Sequence, residues 1–166
     1  MLDRGWTPVK TAGNFYDPAT DANPFGDAAY VFCSESYTIF DKTGDVTDAD
    51  NLLEFVADFT DGMKPQVAVK AASFGAPPIN NAEYWDSYQV IASLEPITTV
   101  EEANAADVIA EVAVSEATTC QKVTFDLDDK YAGKVVYIGI RHKYSAEGYT
   151  LLIHYVDATA LFEPIA

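Results

Sequence analysis

Two short clusters carry the residue types that recognise a polar ligand. Tyr84, Trp85 and Asp86 follow the turn-rich run SFGAPPINNA, and Arg141, His142, Lys143 and Tyr144 close an apolar run. An aromatic face stacks on the apolar side of a sugar ring, while carboxylate or guanidinium groups beside it bond the hydroxyls. Tyr84, Trp85, Asp86, Arg141, His142 and Tyr144 are therefore the candidate ligand-binding residues. The competing use is packing: Trp85 would sit under its own loop, and Arg141 would pair with one of the 26 acidic residues.

Catalytic chemistry has little to start from. Only His142 and His154 are present, and no Ser or Cys stands in a nucleophile-elbow pattern, so a triad has no support in the sequence. His154, on an otherwise apolar strand pattern, reads as a core histidine. A glycosidase needs two carboxylates across a cleft, and no pair stands out among so many acids. The expectation is a protein that is not an enzyme. Cys33 and Cys120 lie far apart and fit no metal-ligand spacing, so they read as buried free thiols. A disulfide between them would require neighbouring strands and would add about 4 kcal/mol in the chain-entropy model. The acidic loops Asp17/Asp21/Asp27 and Asp41/Asp45/Asp48/Asp50 offer oxygen ligands for an ion, although such runs are more commonly solvated faces.

The elements that must position these residues are strands. Val123, Phe125 and Leu127 alternate with polar residues, 134–140 is almost wholly apolar, and 149–156 alternates again. Further strand patterns cover 28–37, 52–59, 67–71, 87–92 and 108–114. Thr98–Glu101 and Thr99–Glu102 both have capping-box spacing, which predicts one short helix over 98–106. Residues 1–26, punctuated by Pro8, Gly13, Pro18, Pro24 and Gly26, read as an irregular segment packed on the rest through Trp6. About eight strands at short spacing and no long helical pattern predict an all-β sandwich in one domain, 1–166.

Composition narrows the partners. Ten basic against 26 acidic residues give a net charge of -16, which repels nucleic acid and anionic membrane surfaces. No apolar run is long enough for a transmembrane helix. Met1 to Trp6 lacks the apolar core of a signal peptide.

The succession FDLDDKYAGKVVYIGIRH followed by YTLLIHYV resembles the C-terminal half of the cleaved-adhesin, or choice-of-anchor J, domain of secreted bacterial surface proteins, the group that includes gingipain adhesin modules. Asp50-Asn51-Leu52-Leu53 is similar to the Asp-Asn-Trp-Leu at the start of one strand in that family, and residues 82–93 (AEYWDSYQVIAS) to its signature strand. The resemblance runs from about Tyr30 onward. It implies a jelly-roll, galactose-binding-like β-sandwich that recognises glycan or a partner protein. It also implies a secreted or cell-surface location, with the export signal upstream of this fragment, and membership of a larger surface protein. Family members often bind calcium between an acidic loop after the N-terminal Trp and an Asp pair on the last strand. Here Lys10 to Asn14 and Ile153 to Val156 stand in those places, so no cofactor and no metal site is expected.

Overall fold

The computed structural model describes residues 7–12, 14–16, 32–35, 49–61, 64–74, 86–114, 121–144 and 150–161. Among these, ten strands and one α-helix follow in the order β1 (Thr7–Ala12), β2 (Asn14–Tyr16), β3 (Phe32–Glu35), β4 (Ala49–Asp58), β5 (Lys64–Phe74), β6 (Ser87–Ser93), α1 (Val100–Ala105), β7 (Asp107–Ala113), β8 (Gln121–Asp126), β9 (Val135–Tyr144) and β10 (Thr150–Leu161). One sheet has the order β1-β4-β9-β6-β7 and the other β2-β3-β10-β5-β8. All pairings are antiparallel. This is the expected all-β sandwich with one short helix.

Several boundaries differ from the sequence expectation. The opening stretch, read as irregular, contributes β1 and β2, which pair with β4 and β3. Backbone ladder bonds, not an apolar pattern, recruit these segments, so hydropathy does not reveal them. The strand expected over 28–37 is described only over 32–35, and the last strand runs on past Val156 to Leu161 opposite Lys64. Trp6 lies outside the described residues.

Alternation along the strands assigns each residue to a face. Leu53, Ala57, Val90, Val136, Ile138 and Ile140 from the first sheet meet Val67, Val69, Ala71, Leu151 and Ile153 from the second in one buried cluster. Each Val, Leu or Ile among them contributes about 1.5–3 kcal/mol when fully buried. Leu52 and Ile91 have the opposite parity and point to the outer face of the first sheet. There they are covered by Ile97 and by Ala103 of α1. The helix is capped as its spacing predicts: Thr99 Oγ1 accepts from Glu102 N–H at 3.2 Å, and the Glu102 carboxylate accepts from Thr99 N–H at 2.9 Å. Of the two predicted boxes, the one at Thr99 is used.

Between β8 and β9, Asp128 caps a single 3-10 turn that buries the Tyr131 ring, and Gly133 at φ 71° completes the reversal with a conformation few other residues adopt. The Tyr131 hydroxyl donates to Ala92 O at 3.0 Å and to the Asp107 carboxylate. Burial and that carboxylate push its pKa above the usual tyrosine value.

Register fixes where the connections lie. The strand ends joined by β1–β2, β3–β4, β5–β6, β7–β8 and β9–β10 gather at one pole, and each of these five connections crosses from one sheet to the other. The link from β6 through α1 to β7 lies at the opposite pole.

Candidate functional site

Asp86 from one of the clusters singled out in the sequence, and the end of β9 from the other, lie at the pole with the five crossings. Gln89 on β6 pairs with Arg141 on β9. Asp86 comes three residues before Gln89 and Tyr144 three after Arg141, so both follow on from that last paired position at the same end of the sheet. Tyr84, Trp85 and the Tyr144 side chain lie outside the described residues. The other three candidates are placed in full.

Arg141 does not line a rim. It points to the outer face of the first sheet, where Nε and Nη2 bond the two Asp50 oxygens at 2.6 and 2.8 Å, and Nη1 bonds Asn104 Oδ1 of α1 at 2.9 Å. Every guanidinium nitrogen is engaged, and the side chain is 3% exposed. The two-pronged geometry is the strong form of an ion pair. Packing, the competing use of this residue, is the one the fold makes of it, and Asp50 from the acidic loop is taken up at the same time.

His142 faces the other way, into the sandwich. Its Nδ1 is 2.7 Å from Ser34 Oγ, and its Nε2 is 3.0 Å from Asp86 Oδ1. Asn51 Nδ2 donates to the same Ser34 Oγ at 2.9 Å. All four residues are buried. With a neutral ring, one set of proton positions makes all three of these bonds. Asn51 donates to Ser34, Ser34 donates to His142 Nδ1, and the imidazole carries its own proton on Nε2 and donates it to Asp86. Asn51 Oδ1 is left as a buried side-chain oxygen with no partner among the described residues.

Asp86 and His142, expected at a solvent-facing rim, are thus interior groups with protein partners. Ser34 and Asn51 were not singled out from the sequence. Their signal is parity: Asn51 stands at an inward position with Leu53 and Ala57, where a polar side chain must find a partner.

The chain brings a serine, a histidine and a carboxylate together, which no local motif announced. Its geometry is not that of a hydrolytic triad, where Nε2 serves the serine and Nδ1 the carboxylate. Here the two ring nitrogens are exchanged. Ser34 is 2% exposed and Asp86 1%, so neither water nor a scissile bond reaches the hydroxyl.

Among the described residues no three His, Cys, Asp or Glu side chains gather to hold a metal ion. Ile153 is a core residue, while Asp17, Asp21, Asp27, Asp41, Asp45 and Asp48 lie outside the described residues. The backbone of Cys33 on β3 pairs with Leu152 and Tyr16, and Cys120 lies outside the described residues.

No protein-family model matches the sequence, and no curated protein does. Solved structures do match. The third cleaved adhesin domain of Lys-gingipain from Porphyromonas gingivalis superposes with a TM-score of 0.67 at 19% identity, over 93% of this chain and 89% of that one. The first such domain of the same protein gives 0.63 at 20% identity, over 94% and 90%. A xylan-binding module gives 0.52 at 17% identity, over 99% and 95%. At these identities the likeness shows the fold: the chain has the β-sandwich of the cleaved adhesin domains that its motifs resemble.

Proposed function

We propose that this protein is a non-catalytic binding module that takes a neutral glycan at the pole with the five crossings, outside the cell and as part of a larger surface protein. The observation that carries the reading is the register of β6 against β9. It sets the start of β6, which Tyr84-Trp85 precede in sequence, beside the last residues of β9, which ends at Tyr144. The fold likeness to a xylan-binding module supports a saccharide as ligand. The net charge of -16 argues for an uncharged one, since like charge repels anionic polymers. Tyr84, Trp85 and Tyr144 are the proposed contacts, and no cofactor is required.

Isothermal titration with xylohexaose and a panel of neutral oligosaccharides, with and without calcium, tests this. Binding by the native protein that is lost in Trp85→Ala while the fold is kept supports the reading. Silence across the panel removes it, and a calcium requirement removes the cofactor-free part.

A second reading is an interaction or spacer module with no small ligand. It is favoured by one specific observation: Asp86, Arg141 and His142, half of the candidate residues, are engaged inside the protein. Retention of native surface-protein fragments on immobilised protein, with no response to sugars, is its expected signature.

A further inference from the structure

We infer that Ser34, Asn51, Asp86 and His142 are positioning residues that act as one unit, holding the bases of three connections in a fixed relation at the proposed binding pole. The inference rests on the reading of that pole as the ligand face, and names what keeps it in shape.

The placement of the four residues carries the argument. Ser34 is the penultimate residue of β3 and Asn51 the third of β4, on the two sides of the connection 36–48. Asp86 directly follows the segment 75–85, and His142 lies two residues before the end of β9, where 145–149 begins. Three side-chain bonds therefore join the roots of three connections, and the bond between Ser34 and His142 also joins the two sheets.

The energetics favour positioning over bulk stability. Burying a polar group costs free energy that its hydrogen bond only roughly repays, whereas apolar side chains in the same four places would pack without that cost. What the polar chain adds is direction. Ser34 has one proton to give, and Asn51 fixes it towards His142, which fixes the imidazole proton towards Asp86. A rotation or slip of one strand relative to another breaks a bond in a dry interior, where nothing replaces it. Four leucines would tolerate the same slip.

The test uses the full chain and needs no ligand for its first arm. In Asp86→Ala, amides of β3 on the opposite sheet are expected to exchange about tenfold faster with solvent deuterium. The ring 15N signals of His142 are expected to move from a single Nε2–H tautomer to a mixture. Asp86→Asn keeps the accepting oxygen and is expected to restore both. A merely local structural role would change exchange only in β6 and the strands beside it; that result, or a failure of Asp86→Asn to restore a folded protein to the native pattern, overturns the proposal. Should Asp86→Ala not fold, Ser34→Ala gives the reciprocal measurement. Faster exchange at the start of β6 is then the expected result, and exchange changed only in β3 and the strands beside it overturns the proposal.

The second arm titrates xylohexaose. A drop of about tenfold in affinity in Asp86→Ala, recovered in Asp86→Asn, supports positioning of the ligand face. An unchanged affinity in a variant whose exchange has changed overturns that part. If the native protein does not bind xylohexaose, the glycan reading fails by itself, and the exchange and tautomer results still decide whether the four residues act as a unit.

Discussion

Arg141 and His142 are consecutive on β9, yet they serve opposite sides of the first sheet: Arg141 clamps Asp50 and Asn104 outside, and His142 bonds Ser34 and Asp86 inside. A strand sends neighbouring side chains to opposite faces, so the two could not line one rim. Arg141→Ala strips both partners from a largely buried pair, and unfolding in urea is expected to show a loss of about 2–3 kcal/mol. Because Arg141 faces away from the proposed ligand, any saccharide affinity measured well below the melting temperature should match the native value. A selective loss of affinity with stability intact would return Arg141 to the site.

Gly139 lies across from Ile91 in the β6–β9 register. A Cβ there would stand 2.6 Å from Leu52 Cδ1 and 2.7 Å from Ile91 Cγ1, the two side chains that α1 covers. Gly139→Ala gains about 0.4–1 kcal/mol from a stiffer unfolded chain. Overpacking at that distance costs about 1–3 kcal/mol and is expected to win, giving a net loss in chemical denaturation. Pairing Gly139→Ala with Leu52→Ala opens space at the clash, so the double variant should lose less than the sum of the two single losses.

Glu54 is a carboxylate on the outer face, buried under Ile97, whose N–H it accepts. Burial raises its pKa above 4.5, with the Ile97 bond opposing and the nearby Glu102 charge adding to the rise. A raised carboxylate pKa means that the native state holds the proton more tightly than the unfolded chain does. The contribution of Glu54 to stability is therefore most favourable at acid pH and declines as pH climbs from 4.5 through the raised native value. Glu54→Gln keeps an acceptor for Ile97 without the charge, and should be at least as stable as the native protein at pH 7, with the advantage shrinking towards pH 4. Stability curves against pH for the two proteins decide it. A variant that is weaker at pH 7 and equal at pH 4 would show that the Ile97 bond outweighs desolvation.

Ser34 has a histidine and a carboxylate in line behind it but no access. A fluorophosphonate probe should leave Ser34 unlabelled in the native protein, as judged by intact mass. Stoichiometric labelling abolished by Ser34→Ala would mean that the interior opens and that the non-catalytic reading is wrong.

Much of the sandwich was legible because it is local. Alternation in 52–59 and 121–127 and the apolar run 134–140 marked strands, and the Thr99–Glu102 spacing marked the helix. β1 and β2 were hidden because Pro8 and Gly13 read as breaks, while their pairing with β4 and β3 is made by backbone groups. The bond between Ser34 and His142 joins residues 108 positions apart and depends on how the two sheets face each other. No window along the chain contains that information. The parity of β9 was legible, and parity by itself sends Arg141 and His142 to different faces.

The antiparallel order has a consequence for how such a module is displayed. β1 runs towards the pole with the five crossings and β10 runs away from it, ending opposite Lys64. The polypeptide thus enters and leaves the sandwich on the side remote from the proposed ligand face. Anchored through its two flanks, such a domain would stand like a plug on two wires, with the proposed ligand face turned outward.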